Sequence, residues 1–313
     1  MLGRRVSIVA PFYNEADNVM LFYNAVKEVI DSIKSVTFEL ICVDDGSRDD
    51  TLVRLIELSN QDARVHVIEL SRNFGKEAAL TAGISEATGD AVIPIDADLQ
   101  DPPELIETMI KEWQSGFEVV LARRIDRNSD TFLKRKTAEM FYSLHNKLSN
   151  VKIPENVGDF RLMDRVVVDA VLQLSEQQRF MKGLFAWVGY KTTTINYVRN
   201  SRAAGDTKFS GWKLWNFALE GITSFTSVPL KLWTYIGGAG ALGSLLYTIF
   251  IVVRTMVHGV DIPGYASLLV AILFMGSLQL ISVGVLGEYV GRVYAETKHR
   301  PIYFIRKKYK KII

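Results

Sequence analysis

Asp96 and Asp98, in "AVIPIDADLQDPPEL" (91–105), put two carboxylates one alanine apart at the end of an apolar run. Like charges that close disfavour each other unless a cation sits between or beside them. Paired carboxylates at a strand end can offer some oxygens to a divalent metal and others to a ligand hydroxyl. Mg2+ or Mn2+ needs few protein carboxylates when substrate phosphates fill its other positions. There it would offset the repulsion and polarise a diphosphate leaving group. Asp98 is read as the direct metal ligand and Asp96 as the neighbour facing the donor, an order that the residues alone leave open. Ala97 between them keeps the pocket uncrowded.

Phosphate chemistry also asks for fixed cations. Arg202 and Lys208 flank Gly205 in "RAAGDTKFS" (202–210), a loop that need not be helical. Arginine offers bidentate contacts that lysine does not. Arg123 and Arg124, ending the stretch "FEVVLARR" (117–124), are similar candidates. The plainer alternatives are a basic loop near a membrane and ordinary salt-bridge partners.

The elements that position these groups are legible as alternating strands and helices. Val6 to Ala10 and Leu40 to Val43 are apolar strands, followed by "RVHVIEL" (64–70), "DAVIPID" (90–96) and "FEVVLARR". Helical spacing follows in "NVMLFYNAVKEVIDSI" (18–33), after Asp49 and Asp50, in "KEAALTAGISEAT" (76–88), and in "PPELIETMIKEWQSG" (102–116), which has proline at its start. Near-continuous apolar strands alternating with helices predict a mainly parallel sheet covered on both faces. Ligands on such sheets collect at the carboxyl ends of strands. Asn14 and Glu15, Asp44 and Asp45, Arg72 and Asn73, then Asp96 and Asp98 all fall at those ends, which points to one site. Asp49 and Asp50 by themselves suit a helix N-terminus. Neither GxGxxG after the first strand nor GxxxxGK[ST] occurs, so carboxylates as well as amides must hold the ligand.

The chain has 313 residues, and 37 Lys plus Arg against 35 Asp plus Glu leave a net charge of +2, which gives no case for nucleic acid. Cys42 is the single cysteine, so no intrachain disulfide forms. The opening "MLGRRVSIVAPFYNE" lacks a run of signal-peptide length, and a reducing, cytosolic compartment is expected. Beyond residue 229 the character changes. Leu232 to Val253 and Ile262 to Gly287 are uncharged runs of 22 and 26 residues, each enough to span a bilayer as a helix. Glycines at 237, 238, 240, 243, 276, 284, 287 and 291 suit close helix contacts. From Arg292 onward, eight Lys or Arg accompany one Glu, and such a basic flank favours the cytoplasmic side. Both termini and the large domain are therefore expected in the cytoplasm, on a multi-pass protein of the inner (plasma) membrane. Tyr294, Tyr303 and Phe304 would suit the interface.

Together "IVAPFYNEADNV", "VDDGSRDDT", "SRNFGKEAALTAGISEATGD" and "IDADLQDPPEL" resemble the inverting nucleotide-sugar glycosyltransferases of family 2, with the fold called GT-A. Within these, the match is to polyprenyl-phosphate hexosyltransferases, the dolichol-phosphate-mannose synthase-like proteins and bactoprenol glucosyltransferases. The resemblance implies that Asp44 and Asp45 bind the uracil and ribose side, with Pro11, Tyr13 and Glu15 completing the nucleoside pocket. It places Asp96 and Asp98 at the DxD positions, with Gln100 adding a sugar or metal-shell contact. Lys76 and Arg123 join the donor set. "ENVGDFRLMDR" (155–165) matches the segment approaching the acceptor, which brings in Asp159 and Arg161; Asp159 orients the acceptor or assists a proton. Arg124, Arg202 and Lys208 join the acceptor and phosphate set, with Thr207 in place of the family's usual serine.

The implied architecture is a catalytic domain (1–209), an amphipathic interfacial helix (210–230), a transmembrane hairpin (231–291) and a basic cytoplasmic tail (292–313). Trp212, Trp215, Leu219 and Ile222 share one face of the interfacial segment, a pattern suited to the headgroup region. A second surface helix is expected over 132–150. The implied reaction moves a hexose, glucose by analogy, from a UDP-sugar to polyprenyl phosphate, and a dimer or tetramer is compatible with the glycine-rich spans. A processive polysaccharide synthase is the rival reading, but "EQQRF" (176–180) departs from its QxxRW motif and two spans are few for a channel. An inactive membrane scaffold is the other, although every expected acid is present.

Overall fold

The computed structural model describes residues 3–125, 154, 156–174, 176, 181–198, 228–258 and 264–310. The apolar runs form β1 (Arg5–Phe12), β2 (Thr37–Asp44), β3 (Val65–Leu70), β4 (Ala91–Pro94) and β5 (Val119–Arg124). Between them lie α1 (Ala16–Ser32), α2 (Thr51–Gln61), α3 (Lys76–Glu86) and α4 (Leu105–Gln114). The chain continues through β6 (Val157–Asp164), α5 (Arg165–Gln173), α6 (Met181–Trp187) and β7 (Thr192–Tyr197). Two long helices, α7 (Val228–His258) and α8 (Tyr265–Thr297), precede a last strand, β8 (Ile305–Tyr309).

All eight strands join one sheet in the order β7-β5-β6-β4-β1-β2-β3-β8. β1 is parallel to β2 and β4, β2 to β3, and β5 to β7, while β6 and β8 run antiparallel to their neighbours. The carboxyl ends of the parallel strands and the amino ends of β6 and β8 therefore share one edge. As strand side chains alternate between faces, the apolar interiors build two cores. On one face Ile8, Leu40 and Ile93 meet Phe22 and Val26 of α1, Leu55 of α2 and Ile106 and Met109 of α4. On the other, Val9, Ile41 and Val43 meet Leu80 and Ile84 of α3, Val168 of α5 and Leu184 of α6. The covered, mainly parallel sheet expected from the sequence is thus present. Gly83 lets α3 lie close to it, since a Cβ there would come 2.3 Å from Val9 Cγ1.

Three strands had no sequence signal. β6 falls on "VGDFRLMD", read only as an acceptor-side segment, and β7 on the polar "TTTINY". β8 lies within the expected basic tail (292–313), where nothing in the sequence marks a strand. Its Ile305, Lys307, Lys308 and Tyr309 pair with β3 from Leu70 back to Val67. Tyr303 and Phe304 likewise turn to the domain: the Tyr303 hydroxyl lies 2.7 Å from Ser85 Oγ, and Phe304 sits 6.4 Å from Phe74.

Leu246, Ile249, Phe250 and Val253 of α7, and Leu268, Ile272, Phe274 and Leu280 of α8, are exposed. Contiguous exposed apolar surface of this kind marks a membrane or a partner. Among the described residues one segment, Phe274–Thr297, passes a length and hydropathy test for crossing a membrane, where the sequence leads us to expect two. The expected helices over 132–150 and 210–227 lie outside the described residues.

Candidate active site

The shared sheet edge gathers the acids that the sequence singles out. β2 delivers Asp44 and Asp45 side by side, 1% and 3% exposed. Their surroundings differ. Asp45 accepts the backbone N–H of Phe74 at 2.7 Å and of Gly75 at 2.9 Å, one on each carboxylate oxygen. Asp45, expected at the nucleoside, holds the loop that follows β3, since each of its oxygens accepts one of that loop's amides. Asp44 accepts the Ser47 N–H at 3.1 Å through Oδ2, while its buried Oδ1 has no hydrogen-bond partner among the described residues. A buried acceptor left open is expensive unless a ligand supplies a donor. Burial pushes both carboxyls above the usual range, partly offset by these hydrogen bonds.

Gly46 makes this juxtaposition possible. Its φ is +68°, and a Cβ would lie 2.5 Å from the Arg72 carbonyl carbon. Asn14 and Glu15 at the end of β1 are pinned to the same corner, the Asn14 N–H donating to Ser47 Oγ and the Glu15 N–H to Thr51 Oγ1. The Glu15 carboxylate accepts from Asn18 Nδ2 at 2.6 Å. Asp49 does serve the helix start, accepting the Thr51 N–H. Pro11 and Tyr13 are half-buried at this corner, beside β2's end.

One member of the Asp96/Asp98 pair, Asp96, meets a cation of the chain itself. Lys76, the first residue of α3, places Nζ 2.8 Å from Asp96 Oδ1 and 2.7 Å from Asp159 Oδ2. Burial alone would lower the ammonium's pKa, but Asp159 and Asp96 outweigh it and hold it well above the ordinary lysine value. Three strand ends thus converge: β3 through its loop, β4 through Asp96, and β6 through Asp159. The antiparallel run of β6 is what brings Asp159, near its amino end, to this edge. Asp98 accepts the Gln100 N–H at 3.2 Å, closing a tight turn in which Leu99 has a φ of +55°. Left-handed backbone at a non-glycine residue is strained and concentrates at functional sites.

The remaining expectations divide. Arg161 does not present its guanidinium to the surface: it is 4% exposed, donates to the Gly158 carbonyl at 2.6 Å, and stacks 4.2 Å from the Phe185 ring. It alternates with Phe160 along β6 and so points into the core under α6. That burial pushes its pKa down to about 10, with Asp159 opposing. Arg123 bonds Asn196 on β7 at 2.9 Å, and the half-buried Arg124 follows it at the same edge. Arg202 and Lys208 lie outside the described residues. Sequence reasoning missed Asp101, which is buried and accepts the Tyr197 hydroxyl, tying the acidic turn to the end of β7. Its place as the third acid of "DADLQD" was the only signal; nothing local marks Tyr197.

Among the described residues no group of three or more His, Cys, Asp or Glu is arranged to hold a metal. Two carboxylates on one turn fit an ion that arrives with a nucleotide's phosphates, since Mg2+ and Mn2+ keep several non-protein ligands. Asp96 and Asp98 are the residues that fit it.

The family model for glycosyl transferase family 2 matches residues 7–172, which span β1 to α5. The chain belongs to glycosyl transferase family 2. The transferase is 52% identical over 303 residues to a prophage bactoprenol glucosyl transferase homolog of Escherichia coli, covering 97% of this chain and 99% of that protein. It is 53% identical to the bactoprenol glucosyl transferase of Shigella phage SfV, covering 96% and 98%. An uncharacterized glycosyltransferase of Synechocystis is 54% identical, covering 96% and 94%. A solved glucosyl-3-phosphoglycerate synthase from Mycobacterium tuberculosis overlays with a TM-score of 0.47 at 20% identity, covering 70% of this chain and 78% of that one. The transferase's mixed α/β sheet with helices on both faces is of the GT-A type.

Proposed function

We propose that this glycosyltransferase moves glucose from UDP-glucose to a polyprenyl phosphate at the cytoplasmic face of a membrane, inverting the anomeric centre. The observation that carries the reading is the near-full-length identity to bactoprenol glucosyl transferases, two helices included, laid over an acid set gathered at one sheet edge. Asp44, with its open buried oxygen, takes a donor group of the nucleoside. Pro11, Tyr13 and Glu15 wall that corner. Asp96 and Asp98 would hold a divalent ion, which when bound screens the diphosphate charge.

The acceptor phosphate is anionic near neutral pH, so it attacks without a protein base. One of its oxygens bonds to the sugar's anomeric carbon as the bond from that carbon to UDP breaks. The electron pair leaves with the diphosphate, and an α-linked donor gives a β-linked lipid product. The residues' task is orientation and charge. Lys76 neutralises Asp96 and Asp159 where two anionic substrates must meet, and Asp159 faces the acceptor side.

Topology supports this membrane placement. β8 shares a sheet with β3, so the chain between β7 and β8 must return to the side it left. A crossing by α8 alone would strand β8 on the far side; α7 and α8 as a hairpin satisfy the constraint. The end of β7 and the start of β8 both lie on the site's edge, and only residues 298–304 join α8 to β8. Seven residues reach at most about 25 Å, which keeps the site's mouth near the bilayer that supplies the lipid. The basic flank puts this side in the cytoplasm.

The test is transfer of labelled glucose from UDP-glucose to purified polyprenyl phosphate with Mg2+ or Mn2+. Asp96→Ala and Asp98→Ala are expected to abolish product while the protein stays folded and membrane-bound. Wild-type rates in either variant, or turnover untouched by EDTA, would overturn the reading.

A further inference from the structure

The loop from Ser71 to Lys76 carries three parts of the donor edge: the amides that hold Asp45, Lys76 between Asp96 and Asp159, and Arg72. Its own support comes from the other end of the chain. The Ser71 N–H donates to the Phe304 carbonyl at 2.9 Å, and Arg306 Nη2 donates back to the Ser71 carbonyl at 3.1 Å. Arg306 Nη1 also reaches Glu69 at 3.2 Å. Phe304 backs Phe74, and Arg72 lies on that ring, Cζ 4.0 Å from its centroid. One stack thus runs from Phe304 through Phe74 to Arg72, and the Phe74 N–H in the middle of it binds Asp45.

β8 also packs Ile305 and Tyr309 against the two cores and pairs Lys308 with Glu86 and the Tyr309 hydroxyl with Glu69. Its residues are exposed or half-buried, and they include three consecutive cations, Arg306 to Lys308. A five-residue edge strand of this kind adds little core, but beside the core contact of Phe74 it supplies the loop's second support.

We infer that the segment Phe304–Arg306 is a positioning element of the donor site, in which a strand reached from the membrane helix sets the 71–76 loop and thereby Asp45 and Lys76. The inference rests on reading this edge as the UDP-sugar site. Phe304 and Arg306 touch no substrate; they act through Phe74 and Ser71. It follows that donor binding depends on the chain beyond α8, whereas the acceptor, met at Asp159 and the membrane side, does not sense it directly.

The test uses the full-length protein in detergent, with UDP-glucose and Mn2+ as the titrated probe, alongside steady-state transfer to polyprenyl phosphate. Phe304→Ala and Arg306→Met are each expected to weaken UDP-glucose binding roughly three- to ten-fold, the scale of one lost contact. The rise should be larger in the donor KM than in the acceptor KM, which the loop reaches only through the Lys76–Asp159 pair. Phe304→Tyr keeps the ring and should restore wild-type binding. Lys308→Met is the control: it removes the 2.6 Å pair with Glu86 from the same strand without touching the loop. If β8 only stabilises the fold, Lys308→Met and Arg306→Met will lower the melting midpoint together and leave both donor constants alone, and the inference fails. Should Phe304→Ala not fold, Arg306→Met, with an exposed side chain, carries the test. A wild-type protein that binds no UDP-glucose would overturn the donor reading and this inference with it. Wild-type binding with both variants unchanged would overturn the inference alone.

Discussion

Asp45→Asn separates two roles for the same residue. A nucleoside ligand would leave the empty protein unaffected when replaced, whereas a loop-holding residue would not. The side chain is buried, and each oxygen takes one backbone N–H, from Phe74 and from Gly75. Hydrogen bonds to a charged group contribute about 1.5–3 kcal/mol each. Asparagine keeps one acceptor but turns an amide NH2 toward the other N–H, so one bond is lost and two donors face each other. Part of this is recovered, because burial and the neighbouring Asp44 already disfavour the Asp45 charge. The net loss is then about 1.5–3 kcal/mol, or roughly 3–12 °C in the melting midpoint of a domain this size. The assay is thermal unfolding in detergent without nucleotide, paired with a UDP titration. We expect a lower midpoint in the empty protein together with weaker UDP binding, since Lys76 moves with the loop. An unchanged midpoint with weakened binding would refute the loop-holding role and return Asp45 to direct contact with the donor.

Three further outcomes are expected. Gly83→Ala sets a methyl 2.3 Å from Val9 Cγ1 and should destabilise by about 1–3 kcal/mol by denaturant unfolding, with Val9→Ala in the same chain recovering part of it. Tyr197→Phe removes a hydroxyl from buried Asp101, which should lower stability by about 1–3 kcal/mol and raise the donor KM as the acidic turn loosens. The Arg64 guanidinium holds the Asp62 carboxyl down to about 2. A depressed carboxyl contributes stability above its unfolded pKa and loses it as pH falls through the folded value. After discounting for Arg64's partial exposure, Asp62→Asn should destabilise by about 1–2 kcal/mol at pH 7. The gap from wild type should narrow as pH falls from about 4 toward 2, read as the change in midpoint across a pH series.

What could be read in the chain was set by how local each signal is. β1 to β5 announce themselves because both faces of each strand are covered, so Leu40 to Val43 reads as an unbroken apolar run and Val6 to Ala10 as one interrupted only by Ser7. The acids at their ends are adjacent in sequence to those runs, which is why Asp44, Asp45, Asp96 and Asp98 stand out from the sequence alone. β7 escaped notice because "TTTINY" is an outer strand whose burial alternates between exposed and half-buried. β8 escaped because "IRKKY" is charged, and its partner lies more than 230 residues away. Arg161 shows the converse limit. The resemblance placed it with the acceptor set, but it shares a face of β6 with Asp159 and lies two residues further from the edge, where Gly158 and the Phe185 ring hold its guanidinium. Asp45 was placed at the right edge, but its amide partners belong to a loop 29 and 30 residues further on, which no local signal marks.

The end of β7 and the start of β8 lie on the same sheet edge as the acid set, and this constrains how such an enzyme can work at a membrane. A lipid phosphate stays at the bilayer, so the donor site must be held at a fixed height above it. A domain tethered only through the β7 side could tilt about a single connection. Pairing β8 with β3 adds a second anchor on the opposite flank of the sheet, since β7 and β8 are its two outer strands. Of the two, the described link is the seven-residue one from α8 to β8, and it reaches the sheet at the site's edge. The nucleotide corner, built from β1, β2 and β3, lies toward the β8 anchor, while Asp159 and Arg124 lie toward the β7 anchor. In the proposed function, the donor and acceptor sides then lie beside β8 and β7 respectively, with Lys76 between Asp96 and Asp159 at the centre.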